Sequence, residues 1–219
     1  LGFHILGNSE MSSKMIPKAY PLEKVGHFCI YNGKLCVIEY SDLPASYQEM
    51  RDENGGLKFV AGSVAIHILN VDFVEAKGAD DSDCKLPFHV AFKKVPFLDQ
   101  GGNVVKPEKP NGYKYEMFVF DALESAKNPL VLEGLRCDEF SAVKNKEGID
   151  SPATCKRDQK RQFAEWLEAA GVSLERDSEK TPVYDIEISP LFASNKADFV
   201  EKWNALEKKP EIRNGLYIE

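Results

Sequence analysis

The sequence has 219 residues and a mass of 24.6 kDa, and its 28 Lys and Arg residues against 35 Asp and Glu residues give a formal net charge of −7. This acidic balance argues against nucleic-acid binding as the main function, because phosphate backbones attract basic surfaces. A composition of 43% hydrophobic and 29% charged residues is typical of a folded globular protein. The longest nearly apolar run, residues 59–69, is too short to span a bilayer, and the first residues lack the pattern of a secretory leader. We therefore expect a cytoplasmic protein with neither nucleic acid nor membrane as a partner.

The first part of the chain predicts strands. Residues 1–6 form an apolar, strand-like run, and such a start at Leu1 indicates the downstream part of a longer protein, since domain termini are usually exposed. Residues 27–40 hold two β-rich runs around an Asn-Gly pair, which tolerates the positive φ values of a type I′ turn, so they predict a hairpin. Residues 57–69 predict a buried strand that turns around Gly62.

The middle of the chain predicts alternating short elements. The patterns indicate a helix at 71–76 closed by Gly78, a helix at 86–95, a hairpin at 97–105, a strand-to-helix transition at 115–126 and a strand at 130–135.

The last third begins with a polar loop at 138–150. Ser151 and Pro152 then open the clearest helix of the sequence, which Gly171 ends. A strand at 184–188 and an amphipathic helix at 195–206 follow. Because strands and helices are interspersed, we expect a mixed α/β domain over residues 1–145 and a small C-terminal region over residues 146–219.

The cysteines and histidines show no metal-binding pattern. The five cysteines are widely spaced and include no C-x-x-C pair: Cys29, Cys36, Cys84, Cys137 and Cys155. Cys29 and Cys36 would face each other across the hairpin, and we expect them to be reduced rather than bonded. The four histidines also lack ligand spacing, so we expect structural or surface roles for them: His4, His27, His67 and His89.

Four loop segments carry unusual polar content: 39–41, 61–63, 109–114 and 139–145. Taken singly, each has an ordinary structural explanation, with Glu39 capping a turn, Gly62 marking a bulge, Phe118 and Phe120 in the core and Lys144 in solvent. The sequence contains no P-loop, no G-x-S-x-G and no H-E-x-x-H motif. The order of the segments along the chain is therefore more informative than any one of them.

Together these segments belong to a collinear series of motifs that covers most of the chain. The motifs are KMIPKAYPLEKVG at 14–26, VIEYS at 37–41, AGSVAIH at 61–67, LPFHVAFKK at 86–94, KPNG at 109–112, EMFVFD at 116–121, DEFSAVKN at 138–145 and EISP at 187–190. The series resembles the downstream half of the UDP-sugar pyrophosphorylases, most closely the UDP-N-acetylglucosamine pyrophosphorylases.

The resemblance implies a fold and a reaction. The fold would be the downstream half of a Rossmann-like, GT-A-like α/β nucleotidyltransferase domain with a mixed sheet, followed by a small α+β C-terminal domain. The reaction would join UTP and N-acetylglucosamine 1-phosphate, with Mg²⁺, to give UDP-N-acetylglucosamine and pyrophosphate. Such a reaction brings two anions together, so positioning and charge neutralisation suffice and no side-chain nucleophile is needed.

The resemblance also implies roles for individual residues. Glu39 would accept hydrogen bonds from sugar hydroxyls, and the backbone of Gly26 would lie close to the sugar ring, where a side chain would block the approach. Phe118 and Phe120 would wall the pocket of the N-acetyl methyl group. For the phosphates, the implied contact is Lys144, as a catalytic residue.

Further implied binding residues are Lys14, a weaker candidate for phosphate contact, and Gly62 with Ser63 beside the sugar. The family usually has asparagine where this chain has Ser63, which opens a glucose 1-phosphate uridylyltransferase as an alternative. The family's Gly-rich UTP loop and a metal-binding aspartate would precede Leu1. The missing N-terminal half is therefore an expected partner, and a non-catalytic sugar-nucleotide binding module is a second alternative.

Overall fold

The computed structural model describes residues 1–79, 86–178 and 181–219 and divides into two units, Leu1–Gly134 and Leu135–Glu219. Cys84 lies outside the described residues. The division falls earlier in the chain than the boundary drawn from the sequence after residue 145, so that Lys144 belongs to the second unit.

A five-stranded mixed sheet organises the first unit. The strands of this unit are β1 (Met11–Pro17), β2 (Gly26–Tyr31), β3 (Lys34–Ile38), β4 (Ala61–Leu69), β5 (His89–Lys93), β6 (Phe97–Leu98), β7 (Val104–Val105), β8 (Gly112–Glu116) and β9 (Leu130–Glu133). Its helices are α1 (Gly2–Leu6), α2 (Ala45–Gln48), α3 (Val71–Gly78) and a 3-10 helix (Val119–Ser125). The expected mixed α/β architecture is confirmed.

The order in the main sheet is β3-β2-β4-β1-β9, with β1 and β9 parallel and the other pairs antiparallel. The hairpin of β2 and β3 turns at Asn32 and Gly33, whose φ values of 49° and 76° match the prediction from the Asn-Gly pair. The sequence patterns do not predict strand β1, although its last four residues begin the motif at 14–26. Its Met11 and Met15 pack into the core of this unit, which also contains Phe28, Val37, Phe73, Phe120 and Leu123.

The prediction of a strand over residues 1–6 is wrong, because this segment forms the short helix α1. The side chain that it buries is His4, which hydrogen-bonds Ser12 Oγ at 2.8 Å and Asn70 Oδ1 at 2.9 Å. The apolar side chains of Leu1 and Leu6 stay exposed. The helix is formed by local hydrogen bonds from the N–H of Ile5 to the Leu1 oxygen and from the N–H of Gly7 to the Phe3 oxygen, so the apolar content of the segment does not determine its conformation.

The prediction of a helix over 86–95 is also wrong, because the segment contains β5, which pairs antiparallel with β8. Its register places Phe92 opposite Tyr113, and the two rings stack with centroids 4.7 Å apart. Such cross-strand aromatic pairs stabilise a sheet, and this partner lies too far along the chain for local periodicity to reveal it.

Strand β4 differs from the expected buried strand with a turn around Gly62. The strand begins at Ala61, so Gly62 lies inside it, and most of its residues are only partly buried. The irregularity comes later, where Ala65 has a φ of 58° and the register against β1 shifts between Lys14 and Met15. This is a bulge, which lets two strands of unequal length stay paired.

The other predicted elements of the first unit are present. Helix α3 ends at Gly78 as expected, β6 and β7 form the hairpin within 97–105, and β8 followed by the 3-10 helix gives the strand-to-helix transition. The cysteines in the described residues are free, and the Sγ atoms of Cys29 and Cys36 lie 3.5 Å apart across the hairpin. Burial raises the pKa of the Cys36 thiol to about 12.

The second unit packs helices against a small parallel sheet. Its elements are α4 (Arg136–Glu139), α5 (Pro152–Ala169), β10 (Ile186–Ile188), α6 (Lys196–Ala205) and β11 (Leu216–Ile218). The expected cap of α5 is present, because Ser151 and Thr154 exchange hydrogen bonds in a capping box and Gly171 follows its last turn with a φ of 84°. The hydrophobic core of the second unit contains Leu167, Phe199 and Trp203.

Helix α4 corrects the prediction of a continuous polar loop over 138–150, since the helix reaches Glu139. Within the part of the chain that the structure describes, no helix has both the length and the apolar character needed to cross a membrane.

Candidate functional site

Three of the residues singled out from the sequence converge where β2, β3 and β4 meet. Strand pairing places Gly26 opposite Ser63, and Glu39 directly follows β3. A methyl group added to Gly26 would lie 2.7 Å from Cγ1 of Val37, 3.2 Å from Oε1 of Glu39 and 3.5 Å from Cβ of Ser63. Residues far apart in the sequence therefore share one surface, on which only a glycine leaves room beside the carboxylate.

An open cleft of about 210 Å³ adjoins Glu39. It is lined by residues that follow β3, by residues of β5, by the end of β8 and by the residue before the 3-10 helix: Glu39, Tyr40, Ser41, Asp42, His89, Val90, Ala91, Lys93, Glu116 and Phe118. We call this space the Glu39 cleft. It combines carboxylate oxygens and a lysine with aromatic side chains, a combination suited to a polyhydroxylated ligand.

The two phenylalanines are not equivalent. Their rings stack with centroids 4.9 Å apart, but Phe118 lines the Glu39 cleft whereas Phe120 is only 7% exposed and packs in the core. Phe118 is therefore placed to contact a ligand, and Phe120 supports it from behind.

Gly62 and Lys14 lie away from this surface. A methyl group on Gly62 would lie 3.1 Å from the backbone oxygen of Ile16 and from Cγ2 of Val25, so this glycine allows close strand packing. Lys14 precedes Met15, whose side chain enters the core, and successive side chains of a strand point to opposite faces. Lys14 therefore projects from the other face of β1.

Lys144 lies in the second unit, in an exposed segment between α4 and α5. Its backbone N–H donates to the carbonyl oxygen of Asp150 at 2.7 Å, and Asn145 donates to the same oxygen at 2.9 Å. These bonds close the loop that carries the lysine.

The sequence did not point to the pair formed by His89 and Asp121. His89 Nε2 lies 2.8 Å from Asp121 Oδ2, and its ring lies against Phe118 with centroids 4.7 Å apart. The signal was present in the motif at 86–94, but a helix assignment there hid it. In a strand, His89, Ala91 and Lys93 share one face, and that face borders the Glu39 cleft.

A buried polar network underlies the junction of β2 and β3. His27 is fully buried, its Nε2 lies 2.7 Å from Lys18 Nζ, and its Nδ1 lies 3.3 Å from the carbonyl oxygen of Ile38. Burial lowers the pKa of His27, and the neighbouring Lys18 ammonium lowers it further, against a smaller opposite effect of the Ile38 carbonyl. Burial also lowers the pKa of Lys18, which the Glu23 carboxylate opposes. A neutral His27 therefore joins the backbone immediately before Glu39 to Lys18.

A metal ion is usually held in a protein by several His, Cys, Asp or Glu side chains that lie close together. In residues 1–79, 86–178 and 181–219, no three or more His, Cys, Asp or Glu side chains are grouped so that they could hold a metal. The described residues therefore do not fit a complete magnesium site.

Several known proteins are similar to this chain in sequence and in fold. A UDP-N-acetylhexosamine pyrophosphorylase-like protein 1 from Xenopus tropicalis is 39% identical over 187 residues, covering 84% of this chain and 36% of the relative. The UDP-N-acetylglucosamine pyrophosphorylase of Saccharomyces cerevisiae is 37% identical over 178 residues, covering 78% of this chain and 37% of the relative. A crystal structure assigned to a UDP-N-acetylglucosamine pyrophosphorylase from Entamoeba histolytica superposes with a TM-score of 0.75 at 30% identity, covering all of this chain and 52% of that one. No family model matches the chain.

The mixed sheet and these matches show that the chain belongs to the UDP-sugar pyrophosphorylase family. Within that family it belongs with the UDP-N-acetylglucosamine pyrophosphorylases, which confirms the resemblance seen in the motifs. The chain spans a little over a third of the length of these curated relatives and about half of the matched crystal structure.

Proposed function

We propose that this chain forms the sugar-binding part of a uridylyltransferase that joins UTP and N-acetylglucosamine 1-phosphate to give UDP-N-acetylglucosamine and pyrophosphate. The observation that carries the proposal is the convergence of Gly26, Glu39 and Ser63 beside a cleft walled by Phe118. The names of the relatives support the same reaction.

Glu39 supplies the hydrogen-bond acceptor for the sugar. An ionised carboxylate only accepts hydrogen bonds, so it suits hydroxyl groups and repels a phosphate. Gly26 keeps the space beside this carboxylate open, because any side chain there would occupy it. The sugar thus lies at the Glu39 end, and its phosphate points away from it.

Phe118 supplies an apolar surface for the N-acetyl methyl group, and the stacked Phe120 fixes the position of that surface. A glucose ring has a hydroxyl group where the acetamido group would be, and it gains less from an aromatic wall. Phe118 therefore favours the acetylated sugar over the glucose 1-phosphate alternative, whereas Ser63, with its short hydroxyl side chain, favours glucose.

The phosphates require positive charge, of which the Glu39 cleft itself contains Lys93. We assign phosphate contact to Lys144, in agreement with the motif at 138–145, because a lysine acts as a mobile point charge toward phosphate. Mg²⁺ is proposed from the family resemblance as the reaction's metal, where it would neutralise phosphate charge. The UTP-binding half of the enzyme is proposed as a segment outside this sequence, in keeping with the partial coverage of the relatives. A cytoplasmic location, expected from the sequence, is also part of the proposal.

Pyrophosphate release from UTP tests the reaction in the intact protein. With Mg²⁺ present, N-acetylglucosamine 1-phosphate should support turnover and glucose 1-phosphate should support it less well. The shift of the melting temperature with UDP-N-acetylglucosamine should likewise exceed the shift with UDP-glucose at equal concentration. Equal shifts would remove the preference for the acetylated sugar. Binding of both sugar nucleotides without any pyrophosphate release would instead favour a non-catalytic binding module.

A further inference from the structure

The histidine of the Glu39 cleft is held by contacts on two sides. Its Nε2 lies 2.8 Å from Oδ2 of Asp121, and its ring packs against Phe118, with the ring centroids 4.7 Å apart. The remaining ring nitrogen, Nδ1, lies 3.7 Å from Oδ2 of Asp42, which also lines the cleft. The His89 side chain is 30% exposed, so this nitrogen is within reach of a ligand.

The partner of Nε2 fixes the orientation of the His89 ring. An ionised carboxylate can only accept a hydrogen bond, so Nε2–H donates to Asp121. The distance from Nδ1 to Asp42 is longer than a hydrogen bond. Nδ1 and the Asp42 carboxylate therefore lie beside the same part of the cleft, where a hydroxyl group, which can both donate and accept, is able to hydrogen-bond to them.

We propose that His89 is a further sugar-recognition residue, with Nδ1 hydrogen-bonding a hydroxyl group of the sugar that Glu39 binds, and with Asp121 as the positioning residue that fixes the orientation of the ring. This inference rests on the proposed function and extends it, since it assigns a second polar contact to the sugar.

The position of His89 gives it both parts of this role. His89 lines the cleft while its ring packs against Phe118, so the same side chain supports the aromatic wall and supplies a polar atom beside it. Because His89 lies on β5 and Glu39 follows β3, a ligand held by both is fixed in orientation as well as in place.

The test compares UDP-N-acetylglucosamine with UDP, which lacks the sugar, by isothermal titration of the intact protein. His89→Phe keeps an aromatic ring against Phe118 and removes both ring nitrogens, so it should weaken binding of the sugar nucleotide about three- to tenfold and leave UDP binding unchanged. His89→Gln, whose amide oxygen can accept, should recover part of this loss. His67→Phe is the matched control, because His67 lies on β4 outside the cleft and its Nε2 is buried without a hydrogen-bond partner among the described residues.

Nitrogen-15 NMR of the histidine ring tests the role of Asp121 separately. The wild-type protein should show a proton on Nε2 that is hydrogen-bonded to Asp121, and Asp121→Asn should change the Nε2 signal, because the carboxylate acceptor is lost. The same variant should weaken only the sugar-dependent part of binding.

Other outcomes decide against the inference in recognisable ways. Unchanged binding of both ligands by His89→Phe would overturn it, and so would an equal loss for both, which would make the ring a support of the cleft alone. An Nε2 without a proton in the wild-type protein would remove the hydrogen bond to Asp121 and would overturn it as well. If the wild-type protein bound UDP-N-acetylglucosamine no more tightly than UDP, the proposed function would fail, and the role of His89 would fail with it.

Discussion

Replacing Gly26 by alanine perturbs the junction of β2, β3 and β4 by one methyl group. That group would lie 2.7 Å from Cγ1 of Val37, a β-branched side chain that is buried in the core and has little freedom to move. It would also lie 3.2 Å from the Glu39 carboxylate oxygen. Overpacking of this kind costs about 1–3 kcal/mol of the free energy of unfolding. We expect Gly26→Ala to lose stability in that range and to displace Glu39, so that binding of UDP-N-acetylglucosamine weakens more than binding of UDP.

Urea denaturation measures the free energy of unfolding, and isothermal titration measures the two affinities. Gly78→Ala is the matched control, because its added methyl group meets nothing within 4 Å, and alanine is favoured over glycine in a helix. A Gly26→Ala protein with wild-type stability and wild-type sugar affinity would refute the packing and the proximity to Glu39 together.

Three further predictions concern the phenylalanine wall, the lysine of the second unit and the buried histidine. Phe118→Ala should raise KM for N-acetylglucosamine 1-phosphate more than for glucose 1-phosphate in steady-state kinetics. An equal effect on both KM values would show that the Phe118 ring only packs in the core and does not contact the acetyl group. Lys144→Ala should lower turnover of the intact enzyme about a hundredfold or more, the loss typical of one preorganised electrostatic contact, and near-normal turnover would remove it from the phosphate role. Because burial lowers the pKa of His27 from its ordinary value of 6.5, unfolding takes up a proton as the pH falls below that value. Its contribution to stability is therefore complete above pH 6.5 and is lost on acidification, with a slope of at most about 1.4 kcal/mol per pH unit. Urea denaturation between about pH 7.5 and 5.5 should show this slope, His27→Gln should reduce it, and an unchanged slope in the variant would contradict the assignment.

Local chemistry made part of the fold predictable from the sequence. The turn at Asn32 and Gly33 and the start of α5 at Ser151 depend on the conformational preferences and hydrogen bonds of a few adjacent residues. Strand β5 was mistaken for a helix because an apolar run of its length fits both periods, and its partner β8 lies beyond an intervening hairpin. The pairing of β5 with the distant strand β8 determines that this segment is a strand.

The residues of the candidate site were also only partly predictable from the sequence. The motifs singled out Gly26, Glu39 and Phe118, and the pairing of the strands shows that the first two are neighbours, which no spacing in the sequence reveals. The role of His89 depends on a partner more distant in the sequence, Asp121, and on a strand that was not predicted. Lys144 was selected by motif alone, and its role awaits the kinetic test.

A crystal structure of the intact protein with UDP-N-acetylglucosamine tests the central claim most directly. The account predicts that the sugar ring lies over Gly26, that one of its hydroxyl groups lies within hydrogen-bond distance of the Glu39 carboxylate, and that the acetyl methyl group contacts Phe118. A sugar bound elsewhere, with the Glu39 cleft filled only by solvent, would contradict it.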